Sequence, residues 1–179
     1  MAATRVALIL GAGPRIGTSV AERFAKDGYK VAIASRSGDG KKNEAGFLAL
    51  KADFTKPESI SPLFSSVKSE LGAFPDVVVY NAAALTPPPN QDSLFSIPLE
   101  KFEDDLKINS ISSYVAAQEA VKGWESSPQE TKKSFIYTGN ILNTVILPVA
   151  AMTTLGVGKA ASAYWIGTAD QTYSKQGYR

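Results

Sequence analysis

Cysteine and histidine are both missing from this chain of 179 residues. Without cysteine there is no disulfide, no thiolate nucleophile and no cysteine-ligated metal, and nothing points to an oxidising compartment. Without histidine the Ser-His-Asp and Cys-His mechanisms, the commonest metal ligand and the default general base all drop out, and no metal site is expected. Any proton chemistry falls to Lys, Tyr, Asp, Glu or a relayed water. An excess of one charge is also lacking. With 19 Lys+Arg against 17 Asp+Glu, nothing in the electrostatics calls for nucleic acid or a membrane surface. No apolar run approaches the length needed to cross a bilayer. The opening Met1-Ala2-Ala3-Thr4-Arg5 lacks the charged leader, apolar centre and small-residue cleavage site of a signal peptide. A single-domain, cytoplasmic protein is expected.

The strongest signal present is Val6-Ala7-Leu8-Ile9-Leu10-Gly11-Ala12-Gly13-Pro14-Arg15-Ile16-Gly17, followed at once by the helical pattern Ile16, Val20, Phe24. A buried strand running through glycines into a helix is the arrangement of a nucleotide-phosphate site. The first glycine permits a tight turn, the second lets backbone approach a pyrophosphate, and the third lets the helix pack on the strand with its N-terminal amides facing the anion. The spacing here is G-x-G-x-x-x-G. Its place between strand and helix carries more weight than the glycines themselves.

Apolar runs then alternate with helical patterns. The first strand, over 6–10, leads to a helix over 15–27 closed by Gly28, and a second strand follows at 30–34. The polar stretch 35–42 leaves a crossover too short for more than a stunted turn or two before a third strand at 47–52. Pro57 opens a further helical element whose apolar face is Ile60, Leu63, Phe64 and Val67 and whose stop is Gly72. A fourth strand at 76–80 leads to the proline-rich loop 86–90, an extended surface arm. A long helix over 98–124 carries Phe102, Leu106, Asn109, Ser113, Ala116, Ala120 and Trp124 on one stripe. Asp104 and Asp105 fall on its solvated side. A fifth strand at 134–138 precedes a last helix that begins between 152 and 158 and ends near 176. Five strands alternating with helices predict an α/β, Rossmann-like, doubly wound parallel sheet with helices on both faces.

With these residues in place the chain resembles the short-chain dehydrogenase/reductase superfamily over nearly its whole length. The resemblance implies a single nicotinamide-dinucleotide domain in which Gly11, Gly13, Arg15, Ile16 and Gly17 form the phosphate turn. It implies further that Asp53 and Phe54 belong to the cofactor site, the aspartate contacting adenine, and that Asn81, Ala82 and Ala83 line the adenosine ribose. Taken alone, Asp53 could equally be a strand-end acid capping the next helix. Ser35 occupies the position where an acid would read a free ribose 2′-hydroxyl, and Arg36 follows it. A guanidinium there pairs with a 2′-phosphate, so NADP is favoured over NAD.

The family's catalytic set is copied incompletely. Asn109 matches the helix asparagine, and Lys159 matches the lysine that grips the nicotinamide ribose and lowers the pKa of a tyrosine one turn earlier. That earlier position is Leu155, which has no proton to transfer. Thr138-Gly139-Asn140 stands in the region of the family's serine pair, where Thr138 or Asn140 could polarise a carbonyl. The resemblance thus implies Asn109, Lys159 and Thr138 as catalytic residues. Tyr137, Tyr164, Thr153 and Thr154 are conceivable replacement donors that read first as packing or surface. Family members run on through further strands and a substrate-covering segment, so the chain is expected to be C-terminally incomplete, with an exposed sheet edge. A homodimer or homotetramer through the two long helices is the implied assembly.

Three function classes follow. The first is an NADP(H)-dependent oxidoreductase acting on a small carbonyl or alcohol compound. The second is a non-redox NADP-binding protein, either a sensor or an isomerase or cyclase on the same scaffold. The third is an interaction module without nucleotide, against which Arg36, the glycine turn and Asn81 all argue.

Overall fold

A computed structural model describes residues 4–126 and 131–179. Met1-Ala2-Ala3, on which the reading of the N-terminus partly rests, lie outside the described residues. The expected alternation of strands and helices is present: β1 (Val6–Leu10), α1 (Ile16–Lys26), β2 (Lys30–Ser35), β3 (Lys41–Lys42), β4 (Leu48–Lys51), α2 (Ser61–Leu71), β5 (Val77–Tyr80), α3 (Leu99–Leu106), α4 (Ser112–Glu125), β6 (Ser134–Tyr137) and α5 (Thr153–Tyr173). The sheet has the order β3-β4-β2-β1-β5-β6. Every pairing is parallel except that of β3 with β4.

The doubly wound expectation holds because β1 is buried on both faces. Val6, Leu8 and Leu10 point into one apolar cluster with α2 and α4, while Ala7 and Ile9 point into another with Val20, Ala21 and Phe24 of α1. Alternating Cβ directions along a strand send successive residues to opposite layers. At the lower end of the sheet a buried ion pair ties three strands together. One Asp76 oxygen accepts the Val6 N–H at 2.8 Å, and the other accepts Lys133 Nζ at 2.6 Å together with the Thr131 hydroxyl.

Three expectations need correction. The sheet has six strands where five were expected: the β2–β4 crossover, as short as anticipated, is a small antiparallel clip. Asn43 Oδ1 accepts the Phe47 N–H and Gly46 takes φ +80, so the segment folds back onto the edge of β4 and adds a sixth, antiparallel strand. The long helix is not uniform, since a π-helical segment (Lys107–Ile111) joins α3 to α4. The outer edge of β6 is not wholly bare: Phe135 N–H donates to the Arg179 carbonyl at 2.7 Å, and the Arg179 N–H to that of Lys133 at 3.1 Å.

Candidate active site

Every sequence-predicted site residue on a strand or the loop after it lies at the carboxyl end of the parallel strands, where open α/β sheets place their crevice. Gly11 ends β1 with φ +90, and a Cβ there would stand 2.4 Å from the Ala82 nitrogen. Asn81 Nδ2 donates to the Gly11 carbonyl at 2.9 Å, so its side chain braces the turn from the neighbouring strand end. Gly17 lies equally close, its Cβ position 2.6 Å from the Ala12 Cα, which lets the first turn of α1 rest on the loop. Gly13 differs, with nothing within 4 Å of its Cβ position. No side chain caps α1, and Arg15 is exposed, as is Ile16. The N–H groups of Gly11 and Ala12 donate to the Ala34 carbonyl and that of Gly13 to the Gly11 carbonyl, so the open turn offers a diphosphate the first N–H groups of α1, at Ile16 and Gly17.

Beside it, after β2, Arg36 is exposed and Ser35 hydrogen-bonds Ser37 at 3.1 Å through their hydroxyls. Asp53 lies close enough to be influenced by Arg36. Its Oδ1 accepts the Thr55 hydroxyl at 2.7 Å and the Thr55 N–H at 3.1 Å, and these bonds hold its carboxyl below the usual carboxylate range. Asp53 therefore closes the turn that precedes α2, as a strand-end acid does. Phe54 does not present its ring to the crevice as an adenine contact would require. The ring is 8% exposed and packs edge-on against Tyr80 at 5.6 Å, and the Phe54 carbonyl accepts the Ser112 hydroxyl. Ala82 and Ala83 continue from Asn81 along the crevice, with Ala83 exposed.

The second half of the site forms where α5 crosses the π segment. A Cβ on Gly158 would lie 2.3 Å from the Asn109 Cβ, so the helices meet almost backbone to backbone. Asn109 is fully buried, and its amide clamps one residue of the loop after β5, donating to the Ala84 carbonyl at 2.8 Å and accepting the Ala84 N–H at 2.9 Å. A π segment turns carbonyls out of the helical ladder. The Ile108 carbonyl accepts the Tyr80 hydroxyl and that of Asn109 accepts the Tyr137 hydroxyl, each at 2.6 Å. Ser162 of α5 donates to the same Asn109 oxygen at 3.0 Å. Burial pushes both phenols up from their ordinary range.

Lys159, only 4% exposed, donates to the Thr138 carbonyl at 2.5 Å, with its ammonium 4.3 Å from the centre of the Tyr137 ring. Burial lowers its pKa to about 8. Thr138 offers Lys159 its backbone, while its hydroxyl turns to the Tyr80 carbonyl at 3.3 Å. Asn140 spends its side chain on the Leu142 N–H at 3.0 Å. Of the other conceivable donors, Tyr164 is exposed, Thr153 bonds the Ala150 carbonyl and Thr154 accepts the Thr86 N–H.

One acid was misplaced by the sequence reading. Asp105 is not solvated: it is 5% exposed, and its Oδ2 is one of two buried side-chain atoms without a partner among the described residues, the other being Trp165 Nε1. Tyr80, as partner of the Ile108 carbonyl, and Tyr137 and Ser162, as partners of the Asn109 carbonyl, were not singled out, because no local pattern announces a π segment.

A family model described as enoyl-(acyl carrier protein) reductase matches residues 11–179. A short chain dehydrogenase/reductase of Cryptosporiopsis, dmxR12, is 38% identical over 185 residues, covering 97% of this chain and 73% of that protein. Among solved structures, a short-chain oxidoreductase of Brucella ovis, in complex with a partially ordered NAD, overlays with TM-score 0.81 at 19% identity, across 99% of this chain and 81% of that one. The NADPH-dependent 3-quinuclidinone reductase of Rhodotorula rubra overlays with TM-score 0.79 at 24% identity, across 98% and 66%. Sequence similarity that runs from the glycine turn to the last residue, on the fold those enzymes share, means that this chain belongs to the short-chain dehydrogenase/reductase family of oxidoreductases.

Proposed function

We propose that the protein is an NADP(H)-binding oxidoreductase acting on a small carbonyl or alcohol compound. The observation that carries this reading is the glycine turn, open above Gly13 and braced by Asn81, that leads to the uncapped start of α1, with the exposed guanidinium of Arg36 at the next strand end. Gly11, Gly13, Arg15, Ile16 and Gly17 hold the diphosphate, and Ser35 and Arg36 hold the 2′-phosphate. Asp53 and the Phe54 backbone border the adenine, Asn81, Ala82 and Ala83 border its ribose, and Lys159 binds the nicotinamide ribose. Bound nicotinamide supplies the hydride chemistry. Asn109 acts at a distance by fixing the Ala84 loop, and Thr138 by anchoring Lys159. A second copy of the chain is the partner, docking on the apolar face of Ile111, Tyr114, Val157 and Tyr164.

One observation favours a non-redox reading, in which NADP is bound as a structural or sensing ligand: Leu155 stands where a phenol would donate the proton. A fluorescence titration separates these readings. NADPH is expected to bind about tenfold or more tighter than NADH, and Arg36→Ala to abolish the difference, the scale of a charged hydrogen bond. Equal weak binding of both nucleotides would overturn the 2′-phosphate assignment. Tight NADPH binding without turnover of a small diketone probe would favour the non-redox reading.

A further inference from the structure

Leu155 removes a phenol from α5 one turn before Lys159, yet the lysine is not left loose. Its ammonium rests on the Tyr137 ring at 4.3 Å and is bonded to the Thr138 carbonyl. A cation over an aromatic face is attracted by the ring quadrupole, more strongly when water is excluded. The ring is itself immobilised from two sides. The Tyr137 hydroxyl is committed to the Asn109 carbonyl at 2.6 Å, and the Tyr80 ring stacks behind it at 5.9 Å with an interplanar angle of 10°. Tyr80 is anchored in the same way one residue earlier in the π segment, at the Ile108 carbonyl.

We propose that Tyr137 is a positioning residue that seats the Lys159 ammonium at the end of β6, so that a strand residue, and not a helix neighbour at position 155, fixes where the lysine points. The ring face does this work. The hydroxyl serves the π segment and is not a substitute proton donor, since it already donates to a backbone carbonyl. This assignment follows from the protein's own contacts. Its use, holding Lys159 ready for the nicotinamide ribose, rests on the reading in the previous subsection.

The test is spectroscopic and needs no substrate. In protein carrying isotopically labelled lysine, the ring current displaces the Lys159 ε-methylene cross-peak from those of the exposed lysines, and the peak is assigned by its disappearance in Lys159→Met. The displacement is expected to persist in Tyr137→Phe, which keeps the ring and loses the hydroxyl, and to collapse in Tyr137→Leu. NADPH affinity should fall less in the Phe variant, which keeps the ring, than in the Leu variant, where about tenfold is expected, the order a desolvated cation–π contact supports. A Lys159 peak lying among the exposed lysines in wild type, or lost in Tyr137→Phe, overturns the proposal. Should the Leu variant fail to fold, the wild-type and Phe spectra decide between these outcomes. A displaced peak in a protein that binds no NADPH would keep the seat and overturn the nicotinamide reading.

Discussion

Lys159 carries the clearest residue-level consequence, because burial lowers its pKa from 10.5 to about 8. Below pH 8 the lysine is protonated whether the chain is folded or not, and the folded state bears the full cost of a desolvated ammonium. Between pH 8 and 10.5 the unfolded chain binds more protons, so this contribution to stability rises with pH. The melting temperature of the wild type relative to Lys159→Met should therefore increase between about pH 7 and about pH 9.5, by several degrees for a chain of this size. Thermal melts of the pair at matched ionic strength check it, and a flat difference would mean that the ammonium is solvated. Lys159 was legible in the sequence through its resemblance to the family's helix lysine and its place on the apolar stripe of Leu155, Ala163 and Ile166. Its surroundings were not, because Tyr137 lies 22 residues away on another element.

The element that organises the site is the α3–π–α4 helix. A regular α-helix would keep the Ile108 and Asn109 carbonyls for itself, whereas the π segment gives them to two tyrosines on adjacent strands. The close crossing of α5 depends on Gly158. Gly158→Ala forces a methyl into the Asn109 side chain and should cost about 1–3 kcal/mol, the usual range for overpacking, as measured by denaturant unfolding. A variant as stable as wild type would show that the two helices can part at little cost. Both long helices were legible from their apolar stripes and the proline before α3. The π segment was not, since Lys107-Ile108-Asn109-Ser110-Ile111 carries nothing that distinguishes it from ordinary helix.

On the scale of the whole molecule, the parallel sheet brings six glycine-turn and strand-end residues, Gly11, Gly13, Ser35, Asp53, Asn81 and Thr138, to one side of the fold. The opposite end is bolted by Asp76 and Lys133. The outer faces of α4 and α5 leave Tyr164 82% exposed, and pairing of two copies through this face makes a sharp prediction. The wild type should sediment as a dimer or larger, and Tyr164→Glu, which places a charge at the centre of the contact, should sediment as a monomer. A monomeric wild type would remove the second copy as partner. What the sequence by itself determined is the local grammar: strand, glycine turn, helix and their repetition, because apolar periodicity and glycine placement act over a few residues. Only the tertiary structure decided that Phe54 packs inward, that Asp105 is buried, that β3 doubles back on β4 and that Tyr137 meets Lys159. Each of these depends on which surfaces come together across the fold, and contact between distant segments leaves no periodic trace along the chain.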